Sequence, residues 1–372
     1  MVTHLFPLKK ELERLREYKA GKPIEEVKRE LGLETIIKLA SNENPFGCSP
    51  KVQEALQEAF IQLAKYPETT APELSLRLSQ KWGLTPEHFV IGNGSDEIIR
   101  LMAKCFIQQG DEAIMADGTF PRYETCVYME GGKPVKIPLI QGVHDLEAMQ
   151  NAINSKTRMV FICNPNNPTG TIVSKQRLQT FIEHVPKNVL LVIDEAYYEY
   201  MDDEVKLDTH RFVEKYPNLV VLRTFSKIYG LASLRIGYGI MNPQIRSILL
   251  KVKDPFNSNR FAQKAALCAL EDWQFVESCK QKNQEGLTFL QNEFDRMGIS
   301  YFSSHANFLM ILLHESGTSV AEKLVRDGII VRAGEVLGFP NTIRVTIGTE
   351  SENHRFMDAF KQIMKGANED EN

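Results

Sequence analysis

Several features are missing from this 372-residue sequence, and each absence removes a class of function. No apolar run approaches the roughly 20 residues of a membrane span, so no membrane partner is expected. The opening Met1-Val-Thr-His-Leu-Phe-Pro-Leu-Lys-Lys10 has no apolar core of signal-peptide length, so no leader is expected either. Forty-four Lys and Arg against 48 Asp and Glu give a net charge of −4, without the basic field that a nucleic-acid surface needs. The cysteines stand apart at 48, 105, 126, 163, 268 and 279, with no C-x-x-C pair and no histidine cluster. That pattern excludes a disulfide frame and a metal site, and fits reduced thiols in the cytoplasm. There is no G-x-x-x-x-G-K-[ST] loop, since Gly21-Lys-Pro and Gly132-Lys-Pro lack the hydroxyl residue. A P-loop ATPase reading of the strand Leu191-Val-Ile-Asp-Glu195 therefore fails.

What is present is an ordinary globular composition, 43% apolar and 25% charged, in a chain long enough for two domains. Residues 1–35 read as a charged, helix-prone arm. Apolar runs then alternate with helical patterns: strands at Phe89–Gly92, Ala113–Ala116, Val135–Pro138, Met159–Cys163, Val189–Asp194, Leu219–Thr224 and Ile236–Met241, with helices near 95–108, 120–130, 144–154, 174–185 and 209–215. This alternation predicts an α/β fold whose large domain, 36–255, holds a mostly parallel seven-stranded sheet covered by helices on both faces. A long helical run from Ala262 to Met297 leads into a smaller α/β C-terminal domain, 256–372. Its strands are expected at Asn307–Leu313, Ile329–Arg332 and Ile343–Ile347, followed by a helix over about 352–365 and a disordered acidic tail from Ala367.

The stretch Arg223-Thr-Phe-Ser-Lys-Ile-Tyr-Gly-Leu-Ala-Ser-Leu-Arg-Ile-Gly237 carries the most chemistry. A lysine among bulky apolar residues has its pKa lowered by burial, and a neutral amine attacks carbonyl carbon. Ser226 and Arg235 add a hydroxyl and a planar cationic fork suited to phosphate. A strand-end lysine reaching out to solvent is the commoner arrangement, so other motifs must decide. Gly92-Asn-Gly-Ser-Asp-Glu97 follows a strand and opens a helix that Ser95 can cap, with free amides for an anion. Gly118-Thr-Phe-Pro-Arg-Tyr123 follows the next strand. Cys163-Asn-Pro-Asn-Asn-Pro-Thr-Gly170 makes a rigid turn after another.

Taken in chain order, these motifs resemble the aspartate-aminotransferase superfamily of fold type I, whose cofactor is pyridoxal 5'-phosphate. The lysine motif matches at Ser226, Lys227, Gly230, Leu231, Arg235, Ile236 and Gly237, and the asparagine–proline signature at Asn164, Pro165, Asn167, Pro168, Thr169 and Gly170. The resemblance implies that Lys227 carries the cofactor and shuttles the proton. It places Gly94, Ser95, Asp96, Ser226 and Arg235 at the phosphate, Phe120 on the ring face, Asp194 at the ring nitrogen, and Asn167 and Tyr197 at the ring oxygen. Tyr66 would reach the phosphate of a neighbouring subunit, which brings a homodimer.

Tyr18-Lys-x-Gly-Lys-Pro23, Lys38-Leu-Ala-Ser-Asn-Glu-Asn-Pro-Phe-Gly47 and Ile343-Arg-Val-Thr-Ile-Gly-Thr349 are similar to the histidinol-phosphate aminotransferase family. That implies Tyr18, Asn44, Arg332 and Arg344 as substrate residues, with histidinol phosphate and 2-oxoglutarate or glutamate as substrates. An aromatic amino acid aminotransferase and a threonine-phosphate decarboxylase remain open on the same fold, and a catalytically silent binding protein stands behind both. Cys48, Gly118, Ile228, Ser233 and Arg260 depart from the pattern, Gly118 standing where related enzymes usually have proline.

Overall fold

The computed structural model describes residues 9–15 and 24–369. Tyr18 lies outside the described residues, as does the end of the tail at 370–372.

Among the described residues, twelve strands form three sheets: β1 (Ile37–Lys38), β2 (Phe89–Gly92), β3 (Glu112–Asp117), β4 (Lys133–Pro138), β5 (Thr157–Cys163), β6 (Leu190–Asp194), β7 (Leu219–Thr224), β8 (Gly237–Met241), β9 (Phe308–Leu312), β10 (Ile329–Ile330), β11 (Arg332–Ala333) and β12 (Thr342–Thr346). The large sheet runs β2-β8-β7-β6-β5-β3-β4, and only β8 points against the rest. Its strands alternate with period two. Met159, Phe161, Leu190, Val192, Val220 and Leu222 face one buried cluster, while Val160, Ile162, Leu191, Ile193, Leu219 and Val221 face another. Apolar residues on both faces oblige helices to cover both.

One face is covered by α2 (Pro50–Ala59), α3 (Pro72–Trp82), α6 (Leu146–Asn151), α7 (Lys175–His184) and α9 (Arg260–Glu271); the other by α4 (Ser95–Phe106), α5 (Arg122–Met129) and α8 (Pro243–Leu250). A third cluster joins β9 and β12 to α10 (Trp273–Met297), α11 (Gly317–Arg326) and α12 (Glu350–Glu369), and takes in Ile37 and Leu39. Strand β1 pairs with β10, so this early segment belongs to the C-terminal packing unit. Val27 of α1 (Ile24–Leu31) packs on Ala40 and Ile330, which anchors this helix there.

The seven strands of the large sheet stand where expected, with four corrections elsewhere. The helical run after 260 is two helices, because the Asp272 carboxylate accepts the Phe275 amide and starts α10 afresh. Residues 329–332 divide between β10 and β11, in different sheets, with Val331 between them. The helix expected near 209–215 is a single 3-10 turn at Thr209–Phe212. The acidic tail continues α12 as helix to Glu369.

One buried charge pair ties β6 to β7. Arg223 is fully buried and donates through Nε and Nη2 to Glu195 Oε2 at 3.0 and 2.8 Å, while Thr209 Oγ1 donates to Glu195 Oε1 at 2.6 Å. The guanidinium lies between the rings of Trp82 and Tyr198, 4.1 and 3.6 Å from their centroids. Removing one partner strands a charge away from water, at a cost of about 3–5 kcal/mol. Glu195→Ala should therefore lower the urea midpoint by that equivalent, whereas Glu73→Ala, which removes an exposed pair with Lys264, should cost at most about 1 kcal/mol. Equal losses in the two variants would refute a structural role for the Arg223 pair.

Candidate active site

Strands β3, β5, β6 and β7 run parallel, so their carboxyl ends open on one edge and their loops, 118–120, 164–170, 195–197 and 225–230, meet there. Ligands bind at such an edge in open α/β sheets. The loop after β7 is pinned by the Leu231 amide on Phe225 O at 3.0 Å and the Gly230 amide on Lys227 O at 2.9 Å. Gly230 has φ +70°, and a Cβ there would fall 1.9 Å from Gly47 O, so the 47–48 backbone crosses where only glycine leaves room.

Lys227 Nζ donates to Ser41 O at 3.3 Å and lies 5.6 Å from the centre of the Tyr197 ring. Burial, reinforced by the Arg344 charge, brings its ammonium pKa down to about 8. Asp194 is buried at the end of β6 and accepts from Tyr123 Oη at 2.7 Å and from the Ala196 amide at 3.2 Å. Burial pushes its carboxyl up to about 7, against the pull of the Tyr123 hydrogen bond. Among the described residues it has no ion pair.

Tyr197 Oη accepts from Asn42 Nδ2 at 2.9 Å, and burial drives the phenol's pKa well up. The acceptor side of the Asn167 amide is taken by Arg344 Nη1 at 2.6 Å, so its Nδ2 hydrogens are what it can offer a ligand. Arg344 Nη2 donates to Ala40 O at 2.9 Å. Arg332 stands opposite Arg344 in antiparallel register, both buried. Phe120 packs edge-on to Tyr123 at 5.5 Å, and Tyr123 stacks on Phe161 at 4.6 Å.

At the other end of the cleft, α4 begins at Ser95. Gly94 holds the N-cap position and no side chain caps the helix, so Ser95 is its first residue, contrary to the expected cap. Arg235 Nη1 donates to Ser226 Oγ at 3.3 Å, and Arg235 Nη2 lies 3.8 Å from Asp96 Oδ2. A Cβ on Gly94, where φ is +73°, would sit 2.8 Å from Arg235 Nη2. Arg235 itself adopts φ 56°, a left-handed conformation that aims the fork back at the helix start. Asn44 spends its amide on the chain, donating to Ile228 O at 2.7 Å. Tyr66 is not brought into this cluster; it is exposed and stacks on Phe256 at 4.6 Å.

The family model for aminotransferase class I and II matches residues 34–360. The chain belongs to the class I and II aminotransferases. It is 47% identical over 350 residues, 94% of this chain and 96% of the relative, to a histidinol-phosphate aminotransferase of Brevibacillus brevis. It is 48% identical over 347 residues, 93% of this chain and 97% of the relative, to that of Caldicellulosiruptor saccharolyticus. Among solved structures, a histidinol-phosphate aminotransferase of Sinorhizobium meliloti in complex with pyridoxal-5'-phosphate superposes with a TM-score of 0.90 at 24% identity, covering 99% of this chain and 100% of that one. A mutant aspartate aminotransferase of Thermus thermophilus superposes at 0.82 with 22% identity, covering 95% of this chain and 100% of that one. These two superpositions show the fold.

Three partners of this aminotransferase's site escaped the sequence reading. Tyr123 closes a motif already singled out, but nothing local says that it reaches Asp194. Asn42 sits inside Ser41-Asn-Glu-Asn, and its hold on Tyr197 spans 155 residues. Glu195 shows in the sequence only as the end of the run Leu191–Glu195, and its hold on Arg223, which opens the lysine motif, spans 28 residues.

The raised carboxyl of Asp194 has a pH consequence. Between its unfolded value near 3.8 and its folded value of about 7 the native state binds the extra proton, so stability falls as pH rises through that window. In cofactor-free protein, Asp194→Asn should abolish this slope and raise the urea midpoint above wild type at pH 8 but not at pH 4. Parallel profiles for the two proteins would show that Asp194 is not desolvated.

Proposed function

We propose that this chain is a histidinol-phosphate aminotransferase that uses pyridoxal 5'-phosphate to move the amino group of L-histidinol phosphate to 2-oxoglutarate, giving imidazole acetol phosphate and L-glutamate in histidine biosynthesis. The observation that carries the reading is identity near one half along almost the whole length of curated enzymes of that activity, in a chain whose cleft gathers the groups the reaction needs.

The residues fit the cofactor. The buried Asp194 carboxylate suits a cationic ring nitrogen, which would restore its charged form. With its pKa brought down to about 8, the Lys227 amine gives up its proton far more readily than a free lysine. Ser95, Ser226, Arg235 and the amides opening the twelve-residue α4 make a cup for a phosphate, and the missing Cβ of Gly94 keeps it open. Asn167 Nδ2 and Tyr197 Oη would hold the ring oxygen, and Phe120 would cover the ring face. When bound, the cofactor supplies an aldehyde that takes up the amino group and a ring that draws electrons from the substrate's α-carbon.

Lys227 is then the general base that removes the α-carbon proton and the acid that returns it, its neutral form favoured by burial and by Arg344. Tyr123 and the Ala196 amide hold the Asp194 carboxylate in place. Arg344, with Arg332 beside it, receives the anionic end of the substrate, which is a phosphate in one half-reaction and a carboxylate in the other. Tyr18 and Asn44 complete the substrate residues of this reading, Asn44 by holding the 228 backbone. The chain divides for this work into an arm (1–35), a large cofactor-holding domain (36–255) and a small C-terminal domain (256–372). The two larger units interleave at Ile37–Leu39 and at α9.

The active form is a homodimer in the cytoplasm. Phe60, Ile61, Leu63, Tyr66 and Phe256 are exposed beside one another, with Phe60 on Phe261 at 4.9 Å, and such an apolar patch suits a second copy that would receive Tyr66. All six cysteines are free thiols, which suits a reducing compartment.

Holoenzyme mixed with each amino donor tests the reaction through conversion of the cofactor to its amine form. Histidinol phosphate and glutamate should convert it fastest, and release of CO2 without need of a keto acid would instead establish a decarboxylase. Charge-assisted hydrogen bonds contribute about 1.5–3 kcal/mol each, so Arg344→Ala should lower kcat/KM for both substrates by about tenfold to a hundredfold. Arg332→Ala should harm histidinol phosphate more than phenylalanine, and equal losses would mean that Arg332 does not read the phosphate. For the interface, Ile61→Glu should yield monomers by light scattering with weakened cofactor retention, and an unchanged dimer would place the contact elsewhere.

A further inference from the structure

The two buried arginines share one hairpin, and its tip is seated on the opposite wall of the cleft. Strands β11 and β12 carry Arg332 and Arg344, and the connection between them, 334–341, is closed on itself. The Gly334 amide donates to Thr342 O at 2.7 Å, the Phe339 amide to Gly334 O at 2.9 Å, and Thr342 Oγ1 to Phe339 O at 2.7 Å. Ser316, just before α11, and Thr318, in its first turn, brace it through Glu335, at 3.2 and 3.1 Å. These bonds tie the connection to the strands it joins.

From its tip the Phe339 ring reaches Gly118, in the loop after β3. A Cβ on Gly118 would fall 2.6 Å from Phe339 Cζ, and Gly118 has φ +92°. Phe339 packs edge-on to Phe302 at 6.1 Å, and Phe302 in turn occupies the space that a Cβ on Gly142 would fill, 2.6 Å from its Cδ1. Both glycines carry φ above +70°, so shape and backbone together exclude a side chain from either seat.

The seat is tied to the site. Asn166, fully buried, donates through Nδ2 to Gly118 O at 3.2 Å and accepts from Thr119 Oγ1 at 2.8 Å. Residues that the site uses follow both ends of this bond: Asn167 comes next after Asn166, and Phe120 next after Thr119. Phe339 therefore joins the rigid arginine hairpin to the loop system that holds Phe120 and Asn167, and Arg344 meets Asn167 across the same boundary at 2.6 Å.

We propose that Phe339, seated on Gly118, is a positioning residue that sets where Arg332 and Arg344 stand against Asn167 and Phe120, and so sets the affinity for the anionic end of both substrates. This rests on the assignment of that anion to Arg344. It also gives Gly118 a function: a side chain there would unseat the ring. Small displacements of a binding group are costly in such sites, and an interaction lost equally from ground and transition states appears in KM with kcat kept.

The test uses cofactor-loaded enzyme and four variants: Phe339→Ala, Phe339→Leu, Gly118→Ala and the Phe339→Ala/Gly118→Ala double. Glutarate, the glutamate skeleton without its amino group, probes binding alone, by titration of the cofactor absorbance. Phe339→Ala should raise KM for histidinol phosphate and glutamate, and the glutarate Kd, by about threefold to tenfold, with kcat within about twofold of wild type. Phe339→Leu, still filling the seat, should stay near wild type. Gly118→Ala should reproduce the Phe339→Ala values, and the double variant should be no worse than the poorer single, because both remove one contact. A Phe339→Ala enzyme with lowered thermal midpoint but unchanged KM and glutarate Kd would overturn the proposal, as would losses that multiply in the double. If Phe339→Ala does not fold, Gly118→Ala against Phe339→Leu decides the same question from the other side. Arg344→Ala is the reference: if it leaves glutarate binding intact, the anion is not at Arg344 and the underlying assignment falls; if it weakens glutarate while Phe339→Ala does not, only the positioning role falls.

Discussion

The site depends on the desolvation of two groups of opposite sign at one edge of one sheet. Asp194 ends β6 and Lys227 stands in the loop after the adjacent parallel strand β7, and burial pushes each toward its neutral form, the amine down and the carboxyl up. Neither is relieved by pairing with the other, since Lys227 Nζ turns to Ser41 O and Asp194 to Tyr123. A folded protein keeps such cost at a place where a ligand relieves it. The buried Arg223–Glu195 pair, on β7 and just past β6, shows the alternative: there opposite charges meet through two hydrogen bonds, and the pair serves the fold.

Around that edge the backbone takes conformations that the lone sequence would not choose. Arg235 is left-handed, and Gly94, Gly118 and Gly230 each lack a Cβ where another atom stands within 3 Å of the space it would take. These strained positions and excluded side chains give the cleft its shape. Stability resides in the strands, and the loops draw on it.

The fold was legible because its signal is local. Period-two apolar runs separated by helical patterns specify a parallel sheet covered on both faces, and every large-sheet strand is found within two residues of its expected start. The motifs on the loops were legible for the same reason, since Asn167, Lys227 and Arg235 each sit in a short pattern with its own chemistry. Pairings across the chain were not. Nothing near Tyr123 points to Asp194, nothing near Phe339 points to Gly118, and nothing near Asn44 points to the Ile228 carbonyl that takes its amide. The splitting of 329–332 between two sheets was hidden because one apolar run serves both.

Residues 40–42 form the narrowest part of the design. Ala40 O receives Arg344, Ser41 O receives Lys227 and Asn42 reaches Tyr197. The bond from Arg344 to Ala40 spans 304 residues. Synthesis therefore makes one wall of the cleft almost first and its counterpart almost last. The sheet can assemble while the ribosome is still at work, but the cleft has to wait for the final tenth of the chain. Contacts of such long sequence separation form slowly because loop-closure entropy precedes any gain. A chain released early would hold a well-built sheet and no working site.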